Sequence, residues 1–354
     1  MRNRVIASTA IVAFSAFLLA GCAPAPQPSA TETSASDYCA RMVTNSGGLE
    51  DRSFNQSSWA GLKKAKAEKG IDVQALVSTG ETDLAPNVEQ AVDSGCQFVL
   101  TVGFELADAT TAAAADNPEV HFSIVDEVVD APNVKPIIFD TAQASFLAGY
   151  LAAGVSKTGV VATFGGGNQP PVTLFMDGFV DGVAAYNAAH GTSVVALGWD
   201  KAKQDGTFTG DFEDVNKGKT VTESLIDQGA DVILPVAGQV GEGTAAAALE
   251  HPGVSVIWVD NDGYDTLPAK FRPVLLTSVL KNTEDAVATI VGDDVDGTFD
   301  AAPFIGTLEN GGVDIAPFHD MAAAVPAALS EELDALRAQI IDGSLVVSSP
   351  STPR

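Results

Sequence analysis

The stretch Asn45-Ser46-Gly47-Gly48-Leu49-Glu50-Asp51-Arg52-Ser53-Phe54-Asn55-Gln56-Ser57-Ser58-Trp59 decides how the rest of the chain is read. It follows a short apolar run containing Met42 and Val43, and it leads into a helix-like run over 56–68. A strand ends, a polar loop turns, and a helix begins. In an open parallel α/β sheet, ligands bind at such places, at the carboxyl ends of the strands. Gly47 and Gly48 permit tight or left-handed backbone, and Ser53 and Asn55 are both candidate N-caps. Phe54 stands among polar residues. It is either a ring that stacks on a flat ligand or a hydrophobic staple at the helix entry.

Outward from this loop the chain alternates. Strands are expected at 41–44, 73–77, 98–102, 121–125 and 134–139, with helices at 57–68, 86–94 and 106–115. Most of these strands are near-continuous apolar runs, the pattern of parallel strands covered on both faces, and the spacing is that of βαβ units. A helix of small and apolar residues follows at 142–156. A second series then begins, with strands at 160–164, 194–197, 232–235 and 254–259 and helices at 173–190, 218–228 and 243–250. A late strand at 275–280, a helix at 283–291, a strand at 304–308 and a helix at 331–341 complete the pattern. The architecture repeats without a sequence repeat. The expected organisation is two doubly wound lobes, 38–140 with 282–302 and 141–281 with 303–346. The chain then crosses between them three times, and closure is a hinge motion.

Residues 1–21 read as a secretory signal, with Arg2 and Arg4 before a short apolar run. Leu19-Ala20-Gly21-Cys22 resembles a lipobox, which makes Cys22 the lipidated first residue of the mature protein. Residues 22–37, rich in Pro, Ser, Thr and Ala, read as a flexible tether. The net charge of −27 disfavours nucleic acid, anionic membrane surfaces and polyanionic ligands as partners. Of the three cysteines, Cys39 and Cys96 remain once Cys22 carries lipid. An even pair in an exported protein favours a disulfide. The two residues precede the first and third strands, which are neighbours in the flavodoxin-like order.

Enzyme signals are weak. The four histidines have no metal-ligand spacing to one another, and there is no Cys-x-x-Cys or Gly-x-Ser-x-Gly motif. Gly165-Gly166-Gly167 fits neither a dinucleotide fingerprint nor a phosphate loop and reads as a turn that lets backbone approach closely. Asp260-Asn261-Asp262-Gly263 lacks the closing glutamate of a calcium loop. No metal or cofactor is expected. The informative polar residues stand just after strands: Asp126, Gly238, Asp260 and Lys281, where the first turn faces the crevice. Carboxylates there accept from vicinal hydroxyls, and a lysine donates to the same hydroxyl oxygens. Each acid alone also reads as a cap or turn former.

The run 47–59 resembles the signature of the basic membrane protein family of nucleoside-binding lipoproteins, usually close to Gly-Gly-Ile-Asp-Asp-Lys-Ser-Phe-Asn-Gln-Ser-Ala-Trp. Further matches at Val102-Gly-Phe-Glu-Leu-Ala-Asp108, Ser145-Phe-Leu-Ala-Gly-Tyr150, Asp227-Gln-Gly-Ala-Asp-Val232 and Thr277-Ser-Val-Leu-Lys281 extend the resemblance over nearly all of the mature chain. It implies an α/β type I periplasmic-binding-protein fold and a lipid-anchored, extracytoplasmic substrate-binding protein of an ABC importer. The implied ligand is a nucleoside with a purine base. The implied partners are a permease and its ATPase, and the protein is expected to be a monomer. The family holds the base between two aromatic rings and the ribose with acids and a lysine. Phe54 matches one ring. Phe212, in Asp211-Phe212-Glu213-Asp214, matches the other, with Phe208 or Trp199 as alternatives because 199–209 loosens the alignment. Asp126, Gly238, Asp260 and Lys281 match the ribose positions. Asn45 stands where the family usually has an aspartate facing the base. An amide both donates and accepts, so the expectation is tolerance of adenosine or a broader base range. Two other classes remain open. One is a sensing lipoprotein that signals to a membrane kinase. The other is a nucleoside hydrolase or phosphorylase, which needs a general base and a metal or anion site.

Overall fold

The computed structural model describes residues 37–353. The expected signal peptide at 1–21, the lipidation site Cys22 and the tether up to residue 36 lie outside the described residues. The first half runs β1 (Cys39–Thr44), α1 (Phe54–Lys69), β2 (Asp72–Leu76), α2 (Glu81–Asp93), β3 (Phe98–Val102), α3 (Ala107–Asp116), β4 (His121–Val125) and β5 (Val134–Phe139). The second runs α4 (Thr141–Val155), β6 (Val160–Gly165), α5 (Pro170–His190), β7 (Val195–Leu197), β8 (Trp199–Asp200), β9 (Asp205–Gly206), α6 (Val215–Asp227), β10 (Val232–Val236), α7 (Gly241–Glu250), β11 (Ser255–Asp260), α8 (Gly263–Thr266) and β12 (Leu275–Lys281). The tail adds α9 (Thr283–Val295), β13 (Phe304–Gly306), β14 (Val313–Ile315) and α10 (Ala327–Ile341).

Two six-stranded sheets result, in the orders β13-β5-β4-β3-β1-β2 and β14-β12-β11-β10-β6-β7. The central strands are parallel and buried on both faces, as β3 and β10 show at every position, which is why their sequences are continuous apolar runs. The small-residue helix α4 is buried along most of its length. A Cβ on Gly149 would stand 2.0 Å from the Phe179 carbonyl oxygen, and one on Gly182 would stand 2.0 Å from that of Phe146. Backbone thus touches backbone between α4 and α5, and only glycine allows it.

The chain passes between lobes at Asp140, at Asn282 and over 307–312, and these crossings are bonded to one another. The Asp140 amide donates to the Gly306 carbonyl at 2.8 Å, and the Asn282 amide donates to that of Gly312 at 2.8 Å. Gln143 links the strands further, donating to Asp140 and accepting from the Leu308 amide. One boundary differs from the sequence reading. Residues 304–306 pair in parallel with Ile137–Phe139 of the first sheet, whereas 303–346 was assigned to the second lobe. The third crossing therefore comes after β13. A three-residue edge strand carries too little pattern to name its sheet. The sequence also did not show β14, which pairs antiparallel with β12, or the β8–β9 hairpin.

Because β1 and β3 are neighbours, Cys39 and Cys96 meet. They form a disulfide, with Cα atoms 4.9 Å apart. A bond across 57 residues restricts the unfolded chain by roughly 4 kcal/mol in the loop-entropy picture. Thiol titration of the denatured, unreduced domain lacking Cys22 should find no free thiol. A Cys39→Ser/Cys96→Ser variant should lose about 2–5 kcal/mol in urea unfolding.

Candidate functional site

The carboxyl ends of both sheets face one cavity of ≈ 90 Å³. Asn45, Phe54, Asp126, Phe212, Gly238, Asp260 and Lys281 all line it, and Trp199 and Phe208 do not. The cavity wall also includes Asp51, Ser53, Asn55, Glu105, Phe175 and Gln239, which sequence reasoning did not select.

The 45–59 loop is organised by Asp51. Its buried carboxylate accepts the amide N–H groups of Ser53, Asn55 and Gln56 at 3.1, 2.7 and 3.0 Å. It thereby satisfies donors that a helix start leaves open. Burial pushes the Asp51 carboxyl up, and these three bonds pull against that shift. Neither expected N-cap makes a capping bond. The Ser53 hydroxyl instead donates across the cleft to Asp260. The Asn55 side chain donates to Asn45 Oδ1 at 2.8 Å and to the Ser46 carbonyl. Asn261 adds a second cross-cleft bond, to the Ser53 carbonyl at 2.8 Å.

Asp126 and Asp260 occupy corresponding places. Each closes a strand one position from β3 or β10, and each has left-handed backbone, with φ of 65° and 66°. That conformation is uncommon for non-glycine residues, and aspartate tolerates it better than most. Strain of this kind clusters at functional sites. Between the two acids lies Lys281, 3% exposed and donating to Asp126, with Asp260 Oδ1 3.8 Å away. Its Nζ also stands 4.7 Å from the Phe54 ring centroid and 5.6 Å from that of Phe139. Burial alone favours a neutral lysine, but the charges of Asp126 and Asp260 outweigh it and hold the ammonium above its ordinary pKa. Burial pushes Asp126 up despite the opposing pull of Lys281. Two carboxylates and one ammonium, with one serine hydroxyl, form a polar end suited to a pair of hydroxyl groups. The acids accept their protons and the lysine donates to their oxygens.

Four phenylalanines, Phe54, Phe104, Phe175 and Phe212, supply the apolar walls. The Phe212 ring lies on Gly166, where an added Cβ would meet three ring atoms at 2.3–2.8 Å. This is the close approach that the triple glycine suggested. Trp199 and Phe208 stand behind, edge to face at 6.0 Å. The Trp199 indole N–H is spent on buried Asp177 at 2.8 Å. The other polar end is Asn45 with Glu105: Asn45 Nδ2 lies 3.3 and 3.5 Å from the two Glu105 carboxylate oxygens. Glu105 sits in a single 3-10 turn after β3, and Gln239 sits in the matching turn after β10. The signal that marked Gly238 was thus equally available for Glu105.

A family model described as ABC transporter substrate-binding protein, PnrA-like, matches residues 40–347. The chain belongs to this family. It is 33% identical to the ABC transporter nucleoside-binding protein BmpA of Lactococcus lactis subsp. cremoris, over 99% of this chain and 100% of that one. It is 28% identical to basic membrane protein A1 of Borrelia garinii subsp. bavariensis, over 85% of this chain and 86% of that one. In fold it matches the crystal structure of ABC transporter system solute-binding proteins from Aeropyrum pernix, with a TM-score of 0.78 at 23% identity. That match covers 88% of this chain and 94% of the other. The architecture is the type I periplasmic-binding-protein fold.

Removing the ammonium alone should be costly. Lys281→Met leaves Asp126 and Asp260 buried without a counter-charge, and such losses run to about 3–5 kcal/mol. Asp126, already raised by burial, then rises further. The native state binds more protons than the unfolded state from about pH 3.9 upward to the raised value. Stability of the variant therefore falls as pH rises through that window and recovers on acidification. Urea unfolding at pH 7 and pH 4.5 should show the deficit shrinking at the lower pH, and adding Asp126→Asn should restore part of it at pH 7.

Proposed function

We propose that this chain is the lipid-anchored, extracytoplasmic receptor of an ABC importer and binds a purine nucleoside between its lobes without chemical turnover. The observation that carries the reading is one cleft with two unlike parts. The first is the Asp126–Lys281–Asp260 group, matched to vicinal hydroxyls, and the second is a set of aromatic walls including Phe54 and Phe212. A nucleoside has both a diol and a flat base. The name of the Lactococcus relative supports the ligand class. The pattern at Leu19-Ala20-Gly21-Cys22 supports the anchor. Cytosolic ATP would power the uptake, with a permease and its ATPase as partners.

The cavity's charges also choose against nucleotides. Asp51, Glu105, Asp126 and Asp260 line it, and Lys281 is the one lysine or arginine among the described residues that does. That lysine is already committed to two acids. Calorimetry on the soluble domain should find purine nucleosides bound and their monophosphates weaker. A monophosphate that binds more tightly than its nucleoside would overturn the site as described. Incubation should return the nucleoside intact by chromatography.

The aromatic walls give a separate test. Base stacking on a ring is worth about 1–3 kcal/mol. Phe54→Ala should weaken nucleoside binding roughly ten- to a hundredfold. Gly166→Ala should weaken it too, by displacing the Phe212 ring, with both variants retaining the native circular dichroism spectrum. An unchanged affinity in Phe54→Ala would make that ring a staple of α1 only.

A further inference from the structure

Resting on the nucleoside reading, we propose that Glu105 selects the base, and that it selects bases with adjacent N–H donors on the Watson–Crick edge, guanine above all. The argument is an inventory of donors and acceptors at this end of the cavity. Asn45 has both sides of its amide engaged: Oδ1 accepts from Asn55 at 2.8 Å, and Nδ2 faces the Glu105 carboxylate at 3.3 and 3.5 Å. Both Asn55 N–H directions are engaged as well, by Asn45 Oδ1 and by the Ser46 carbonyl at 3.2 Å. That leaves Asn55 Oδ1 buried without a protein partner. The amide orientations are thus set by the network.

What this cluster presents to a ligand is mostly acceptor. An ionised carboxylate has about four acceptor directions and no donor, and the long contacts from Asn45 take up few of them. Guanine matches it, with N1–H and an exocyclic N2–H₂ side by side, as two parallel donors to one carboxylate. Hypoxanthine offers N1–H alone. Adenine sets a bare N1 acceptor against the carboxylate. The expectation of adenosine tolerance treated Asn45 as acting alone. With its amide bound on both sides, the choice passes to Glu105.

The test is calorimetry with guanosine, inosine, adenosine and 1-methylguanosine on the wild-type soluble domain and on Glu105→Gln. Guanosine should bind best, with adenosine and 1-methylguanosine each weaker by roughly ten- to a hundredfold, the effect of one unmatched buried polar group. In Glu105→Gln the guanosine-to-adenosine ratio should fall at least about fivefold on the same ground. The 1-methylguanosine comparison uses only the wild-type protein, so it decides even where the variant fails to fold. If 1-methylguanosine matches guanosine, or if the ratio is unchanged in a folded Glu105→Gln, the proposal is overturned while nucleoside binding stands. If none of the four binds, the nucleoside reading falls and this proposal falls with it.

Discussion

A buried ammonium between two buried carboxylates is the interaction on which the rest depends. Lys281 is the last residue of β12, one step before the chain crosses at Asn282. Asp126 comes from the first lobe and Asp260 from the second, so the charges that stabilise the lysine lie on both sides of the hinge. Neither lobe alone supplies the pair of acids. The closed arrangement, with Ser53 on Asp260 and Asn261 on the Ser53 carbonyl, is therefore the one in which this cation is best compensated. A ligand that offers hydroxyl groups to the same three side chains adds partners on both sides of the hinge. Its binding energy then acts directly on closure.

The acidic composition makes this arrangement more demanding. In a chain of net charge −27, a cavity with four carboxylates is open to a neutral ligand rich in N–H and O–H donors and hostile to an anion. The carboxylates tolerate burial because each has donors assigned to it. Asp51 has three backbone amides, Asp126 has Lys281, Asp260 has Ser53 with Lys281 nearby, and Glu105 has Asn45. Burial nonetheless pushes Glu105 up, with Asp126 and Glu81 adding to the shift and the Asn45 bond opposing it.

Much of this was legible in the sequence, for definite reasons. Parallel strands buried on both faces leave apolar runs that can be counted, and the end of each run marks the cleft. That is how Asp126, Asp260 and Lys281 stood out without a structure. The pairing of Cys39 with Cys96 followed from the strand order. Other features were not legible. Asp51, Ser53 and Asn55 are all good helix starters by residue type. What separates them is the Ser53 bond to Asp260, 207 residues away. Residues 304–306 are as apolar as either sheet requires, and only the position of the third crossing assigns them. Glu105 carries the same strand-end signal as Gly238, but the sequence does not show that a 3-10 turn brings it to the cavity wall.

The two lobes also explain why there is one lysine and not two. Val125 is in register with Ile137 on β5, so Phe139 stands one residue beyond the partner of Asp126. On the other side Asp260 is in register with Leu280, so Lys281 stands one residue beyond the partner of Asp260. Phe139 and Lys281 are thus counterparts in the two sheets, and the ammonium lies 5.6 Å from the ring it corresponds to. A lysine at both places would set two like charges against each other in a closed cleft. A phenylalanine at both would leave two buried carboxylates with no cation. One of each gives the acids a shared counter-charge and gives that charge an aromatic neighbour, a contact worth about 2 kcal/mol when desolvated. The site is asymmetric on a nearly symmetric frame, which suits a ligand whose own two ends, a diol and a base, are chemically unlike.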